Sequence, residues 1–127
     1  MSINTPEEAL HAFVRAFNQR NIDAIMALYE SQPTMMAEPG QAVEGRTAVR
    51  ETINGFLSLK PTLTLEKHKI VPAHDLALSV MKWSLTGTDP AGQPLRLEGT
   101  SADVLRQQPD GRWLFAIDNP WGTAILS

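Results

Sequence analysis

Pro109-Asp110-Gly111 followed by Arg112-Trp113-Leu114-Phe115-Ala116-Ile117-Asp118 reads as a turn and a strand, and the partner of that strand decides the fold. Pro-Asp-Gly between apolar runs is a hairpin signal, so the strand returns on Pro94 to Arg106. Working back, Gly87-Thr88-Asp89-Pro90-Ala91-Gly92 joins that segment to a long strand over Leu76 to Thr86. Pro72-Ala73-His74-Asp75 is a further turn, and Thr62 to Val71 alternates, with Leu63 and Leu65 on one face and Glu66 and His68 on the other. Strands joined by short loops pair antiparallel, which gives a four-stranded meander.

The first half of the chain is helical. Thr5-Pro6-Glu7-Glu8 is a capping box with Pro at the first helical position. Leu10, Phe13, Val14 and Phe17 then recur at helical spacing. Asn21 caps a second short helix in which Ile22, Ile25, Met26 and Tyr29 share a face, and Pro33 ends it. Thr34 to Glu38 and Gln41 to Glu44 form a short hairpin about Pro39-Gly40. Gly45-Arg46-Thr47 opens a third helix, with Val49, Ile53, Phe56 and Leu57 inward and Pro61 as its stop. Helices followed by a run of strands give an α+β domain, with three N-terminal helices against one face of a curved antiparallel sheet.

The long strands are apolar on both faces. Trp83 and Leu85 share one side while Leu76, Leu78 and Val80 take the other; Trp113, Phe115 and Ile117 oppose Leu114 and Ala116. An antiparallel sheet with one wet face alternates apolar and polar residues, and this one does not. The helices cover one face, so a second copy of the chain is the expected cover for the other, and a homodimer through the sheet is anticipated. The competing reading is one thick core with a few exposed apolar residues.

Composition excludes several classes. The 127 residues suit a single domain over 1–127, with 43% hydrophobic and 20% charged residues. There is no cysteine, hence no disulfide, thiolate metal site or cysteine nucleophile. A net charge of −3 argues against nucleic acid as a partner. No apolar run is long enough to cross a bilayer, and the start lacks a signal-peptide pattern, so no membrane association and a cytoplasmic location are expected. His11, His68 and His74 show no metal-binding motif and read as surface or helix-flank residues, so no metal is expected. No phosphate loop, dinucleotide motif or Gly-x-Ser-x-Gly elbow is present, and no cofactor is expected.

What stands out is polar residues inside apolar strands. Asp103 lies mid-strand and Asp118 ends a strongly apolar one. A tight hairpin about Pro109 to Gly111 sets Asp103 opposite Leu114 and Ser101 opposite Ala116, with Asp118 on the same face and Lys82 nearby. A one-residue slip would split this cluster, because the side-chain period is two. A carboxylate in an apolar cup has its pKa raised, which suits a general acid or base. The alternative is structural: an ion pair of Lys82 with Asp103, and a capping role for Asp118. Trp83 and Trp121 are candidate cup walls, joined from the helical side by Tyr29, Met35 and Met36.

The chain resembles the SnoaL-like and ketosteroid isomerase-like branch of the nuclear transport factor 2-like superfamily. The resemblance rests on Phe13 to Asp23, Ala27-Leu28-Tyr29, Gly45 to Arg50, and Gly111-Arg112-Trp113 leading to Asp118-Asn119-Pro120-Trp121-Gly122. It implies a cone, a curved sheet wrapped round helices with a pocket at the open end, and dimerisation through the outer sheet face. Activities in the superfamily range from isomerases, cyclases, dehydratases and epoxide hydrolases to binding-only proteins, so the fold does not carry the function. Asp118 matches a position that many relatives direct into the cone. The isomerase tyrosine belongs to the first helix, whereas Tyr29, the sole tyrosine, is placed here in the second.

These readings converge on a pocket for a small hydrophobic molecule. If catalytic, it performs cofactor-free isomerisation, cyclisation or dehydration with Asp118 as first acid or base and Asp103 as second. Ser101 and Asn119 would orient the ligand, with Lys82 beside them and Tyr29, Met36, Trp83 and Trp121 as walls. The alternative is a non-catalytic binding or accessory module.

Overall fold

A computed structural model describes residues 3–127. Helix α1 spans Pro6–Asn18; the Thr5 hydroxyl accepts the Glu8 N–H at 3.1 Å, and Leu10 and Ala9 face the core. Helix α2 is short, Ile22–Met26, with the Asn21 side chain accepting the Ala24 N–H. Strands β1 (Tyr29–Glu38) and β2 (Gln41–Glu44) form a hairpin, and helix α3 (Arg46–Leu57) follows with Val49 and Ile53 buried. The meander comprises β3 (Thr62–Ala73), β4 (Leu76–Thr88), β5 (Pro94–Gln107) and β6 (Trp113–Asp118), and a 3-10 turn spans Gly122–Leu126. This is the expected α+β cone-like architecture, a curved sheet around helices.

The sheet order is β2-β1-β6-β5-β4-β3. Four strand pairs are antiparallel, and β1 lies parallel to β6. That parallel pair corrects the placement of Tyr29. The apolar spacing that put it in α2 is overridden because the Leu28 carbonyl accepts the Phe115 N–H at 2.8 Å, which draws the chain into the sheet. Tyr29 therefore begins a strand opposite Phe115. Arg46 secures the transition, donating to the carbonyls of Met26, Tyr29 and Glu30 at 2.8–3.0 Å. Pro33 does not end the helix; it is fully buried within β1, where the register to β6 is irregular.

Two bulges set which residues face inward. In β6, Leu105 opposes Phe115 and Val104 opposes Ile117, so Ala116 is an extra residue. In β3, Leu65 opposes Trp83 and Lys67 opposes Lys82, so Glu66 is extra. A bulge inverts the facing of every residue beyond it. The second bulge turns His68 to the inner face, opposite Met81, rather than leaving it on the face of Glu66.

Candidate functional site

The hairpin differs from the tight form expected. Arg106, not Asp103, opposes Leu114, a slip of three positions. Continued unbroken, that register would set Asp103 and Asp118 on opposite faces. The bulge at Ala116 restores them to one face, because beyond it Val104 opposes Ile117. A row then crosses the inner face: Ser79 on β4, Asp103 on β5, Asp118 on β6 and Met35 on β1.

The two carboxyl groups share a hydrogen bond. Asp118 Oδ2 also accepts the Tyr29 hydroxyl. Asp103 Oδ1 accepts the Asn119 backbone N–H at 2.8 Å. The Ser101 hydroxyl lies between the Met81 carbonyl, at 3.4 Å, and the Asp103 carboxyl. Ser79, opposite Asp103, carries a buried hydroxyl with no partner among the described residues.

Burial disfavours charge on both acids. It pushes Asp103 well above the usual carboxylate range, and the charge of Asp118 adds to this, against the Asn119 N–H and Ser101. Burial also raises Asp118, but the Tyr29 and Asp103 donors pull it back down. Both carboxyls are thus raised, Asp103 the more strongly, so a proton shared between them is favoured on Asp103. Burial, then the neighbouring Asp118 charge, raises Tyr29 well above its ordinary value and keeps its hydroxyl a donor.

This pair opens into a cavity in the cone, where about 70 Å³ is reachable by the centre of a water molecule. One water needs only about 10–15 Å³ by that measure, so the cavity has room for more than one. Ser101, Asp103 and Asp118 are the polar members of a wall otherwise made of apolar and aromatic side chains. Trp83 and Trp121 meet edge to face at 6.0 Å. Their indole N–H groups donate to the carbonyls of Pro120 and Met36, at 2.9 and 3.0 Å, which leaves ring carbon facing the cavity.

Asp118, Asp103, Ser101, Trp83 and Trp121 thus come together, and the other four named residues do not join the wall. Lys82 opposes Thr100 and is exposed on the outer face, which removes it from the expected cluster and also removes the alternative, an ion pair with Asp103. Met35 lines the cavity in place of Met36, because Met35 pairs with Asp118 and its neighbour alternates away. Tyr29 stands behind Asp118 as a donor rather than a wall. Asn119 braces Asp103 through its N–H, while its side chain accepts the Trp121 N–H and donates to the Gly122 carbonyl. Phe13 and Phe17, on the apolar stripe of α1, were unassigned contributors to the wall. Helical spacing marked them as inward but could not separate cavity from core.

The SnoaL-like domain model matches residues 10–115. The chain belongs to the SnoaL-like family. Among solved structures, a nuclear transport factor 2-like superfamily protein from Salmonella enterica superposes with TM-score 0.80 at 17% identity, covering 91% of this chain and 86% of that one. A ketosteroid isomerase-like protein from Erwinia carotovora gives 0.72 at 20% identity, covering 91% and 92%. A candidate dehydratase of the same superfamily from Streptomyces avermitilis gives 0.76 at 16%, covering 89% and 90%. At these identities the likeness shows the fold alone. No curated protein sequence matches the chain. No helix among the described residues of this SnoaL-like domain is long and apolar enough to cross a membrane.

The proton on Asp103 has a measurable consequence. The folded chain holds it where the unfolded chain, with ordinary aspartates near pH 4, releases it. The sign follows: this contribution to stability is complete below about pH 4 and is lost as pH rises through the raised folded-state value. The loss has a slope of about 1.4 kcal/mol per pH unit while one proton is retained. Asp103→Asn mimics the protonated acid, since its amide can donate to Asp118 and its carbonyl can accept from Asn119. Urea unfolding of both proteins from pH 4 upward is expected to show the variant gaining on the wild type with that slope. Parallel curves would mean that Asp103 ionises normally.

Proposed function

We propose that this SnoaL-like domain binds a small, largely apolar molecule and performs cofactor-free acid–base chemistry on it. The observation that carries the reading is the pair of adjacent carboxyl groups, both raised by burial and Asp103 the more strongly, set in an apolar cavity wall. Asp118 is the base and takes a proton from a carbon activated by an adjacent carbonyl. Asp103 is the acid. In dehydration it gives its proton to the departing hydroxyl, which leaves as water; in isomerisation it delivers that proton to another carbon. Asp118 is then protonated and Asp103 ionised, and transfer along their shared hydrogen bond resets the pair. Opposed protonation states in adjacent carboxyl groups are how one site supplies both acid and base.

The test is a panel of small enones, epoxides and β-hydroxy ketones, read for turnover and affinity with wild type and Asp118→Asn. Turnover lost with affinity retained supports catalysis. Binding by both proteins with turnover by neither supports the alternative, a non-catalytic module.

The outer sheet face supports a homodimer as part of this proposal. Val71, Leu78, Val104 and Ile117 oppose one another in turn across β3, β4, β5 and β6. Val71, Leu78 and Ile117 are 50%, 42% and 43% exposed, a contiguous apolar row of the kind that monomers seldom leave bare. A second copy of the same row is its self-complementary cover. Sedimentation at micromolar concentration is expected to give twice the 14.0 kDa chain mass, and Ile117→Glu is expected to shift it toward the monomer. A wild-type mass of one chain would overturn this.

A further inference from the structure

We propose that Glu7, His11 and His68 form a binding site for a divalent transition-metal ion of the zinc class, outside the cavity. Glu7 and His11 are four residues apart on α1 and so share one face of the helix. His68 arrives from β3. The extra residue at Glu66 turns its ring to the inner face, against α1. No helical spacing relates the three histidines to one another, so this grouping exists only in the folded chain.

The geometry is close to a tetrahedral ligand set. His11 Nε2 lies 3.8 Å and His68 Nε2 3.6 Å from Glu7 Oε1. One ligand atom from each residue lies within 4.8 Å of the others. Zinc bonds of about 2.0–2.1 Å at tetrahedral angles separate ligand atoms by about 3.4 Å. The two carboxylate–imidazole distances need to close by only a few tenths of an ångström, and the imidazole pair by somewhat more. Glu7 and His11 are half exposed or more and free to adjust, while His68, with 23% of its side chain exposed, is the anchored member. The imidazole rings stand edge to face with centroids 5.6 Å apart.

The donor chemistry selects the ion. Two imidazoles and one carboxylate suit zinc, nickel or copper rather than magnesium or calcium, which take oxygen ligands. Three protein ligands leave a fourth position to water. None of the three residues lines the cavity, so the ion would act as a clip. It ties the first turns of α1, whose Leu10 and Phe13 wall the cavity, to the strand beside them.

The test uses the tag-free, chelator-treated full chain. Isothermal titration with Zn²⁺ is expected to show one ion per chain at micromolar affinity, with no response to Mg²⁺. Co²⁺ is expected to give visible absorption from nitrogen and oxygen ligation. His11→Asn and His68→Asn are each expected to weaken binding by about tenfold or more, while His74→Asn, in a remote turn, leaves it unchanged. Zn²⁺ is also expected to raise the thermal midpoint of the wild type but not of the two ligand variants. His11 is on the surface, so its variant remains informative if His68→Asn fails to fold. No saturable one-to-one binding, or binding that survives both substitutions, would overturn the site.

Discussion

Asp118→Asn is expected to reduce turnover by about 10²–10⁴-fold, the usual contribution of a positioned acid or base. The amide preserves the volume of the side chain but removes both the charge and the proton-accepting capacity. Asp103→Asn is expected to lose a comparable factor by a different route, because its amide still donates a hydrogen bond but has no acidic proton to transfer. Tyr29→Phe distinguishes a positioning group from these two. Its hydroxyl touches Asp118 and is not part of the cavity wall, so the loss is expected to be about tenfold. The donor it supplies holds Asp118 down, so its removal lets the carboxyl rise further. The acidic limb of the kcat/KM profile is therefore expected to move to higher pH in Tyr29→Phe. A merely structural tyrosine would lower activity at all pH values without moving that limb. Retention of wild-type turnover within about threefold by Asp118→Asn would remove Asp118 from the chemistry.

How much of this could be read beforehand depended on whether a feature has a local cause. The α1 cap, the helix faces and the order of strands follow from capping residues, periodicity and turn signals, each contained within a few residues. The polar residues that matter were also visible, because Asp103 and Asp118 interrupt apolar strands. Facing was another matter. The expected tight hairpin and the observed one differ by three positions, and it is the bulge at Ala116 that returns the two acids to one side. Neither Ala116 nor Glu66 carries a glycine or any other mark of a bulge. Each is set by how two sheet edges must meet, which is a tertiary condition. The same holds for Tyr29. Its apolar helical spacing was real, but pairing with β6 outweighed it. Lys82 is a different case: it alternates with Met81 and Trp83 along an unbroken β4, so once those face the cavity its own strand carries it to the outer side with Leu78.

Gly122→Ala is expected to be among the most damaging small substitutions in the chain. A Cβ at this position would lie 2.2 Å from the Thr100 carbonyl oxygen, a backbone atom that cannot rotate away. Gly122 also sits at a φ of +55°, where a side chain adds strain of its own. Together these are expected to cost about 3 kcal/mol or more, a large share of the 5–15 kcal/mol typical of a domain. The damage is expected to reach the site, because Gly122 closes the turn that holds Asn119. The Asn119 side chain donates to the Gly122 carbonyl at 3.2 Å, and the Asn119 backbone carbonyl accepts the Ala102 N–H at 2.9 Å. Shifting that turn loosens the Asn119 N–H bond to Asp103, one of the contacts that restrains the upward shift of its carboxyl. Chemical unfolding of Gly122→Ala should therefore show both a lower midpoint and a loss of stability that continues to higher pH than in the wild type, at the same slope. Gly55→Ala is the matched control: within α3, with nothing inside 4 Å of the added methyl, it is expected to stabilise by about 0.5–1 kcal/mol. Equal midpoints for the two variants would show that the terminal turn yields without strain, and that Asn119 holds Asp103 independently of it.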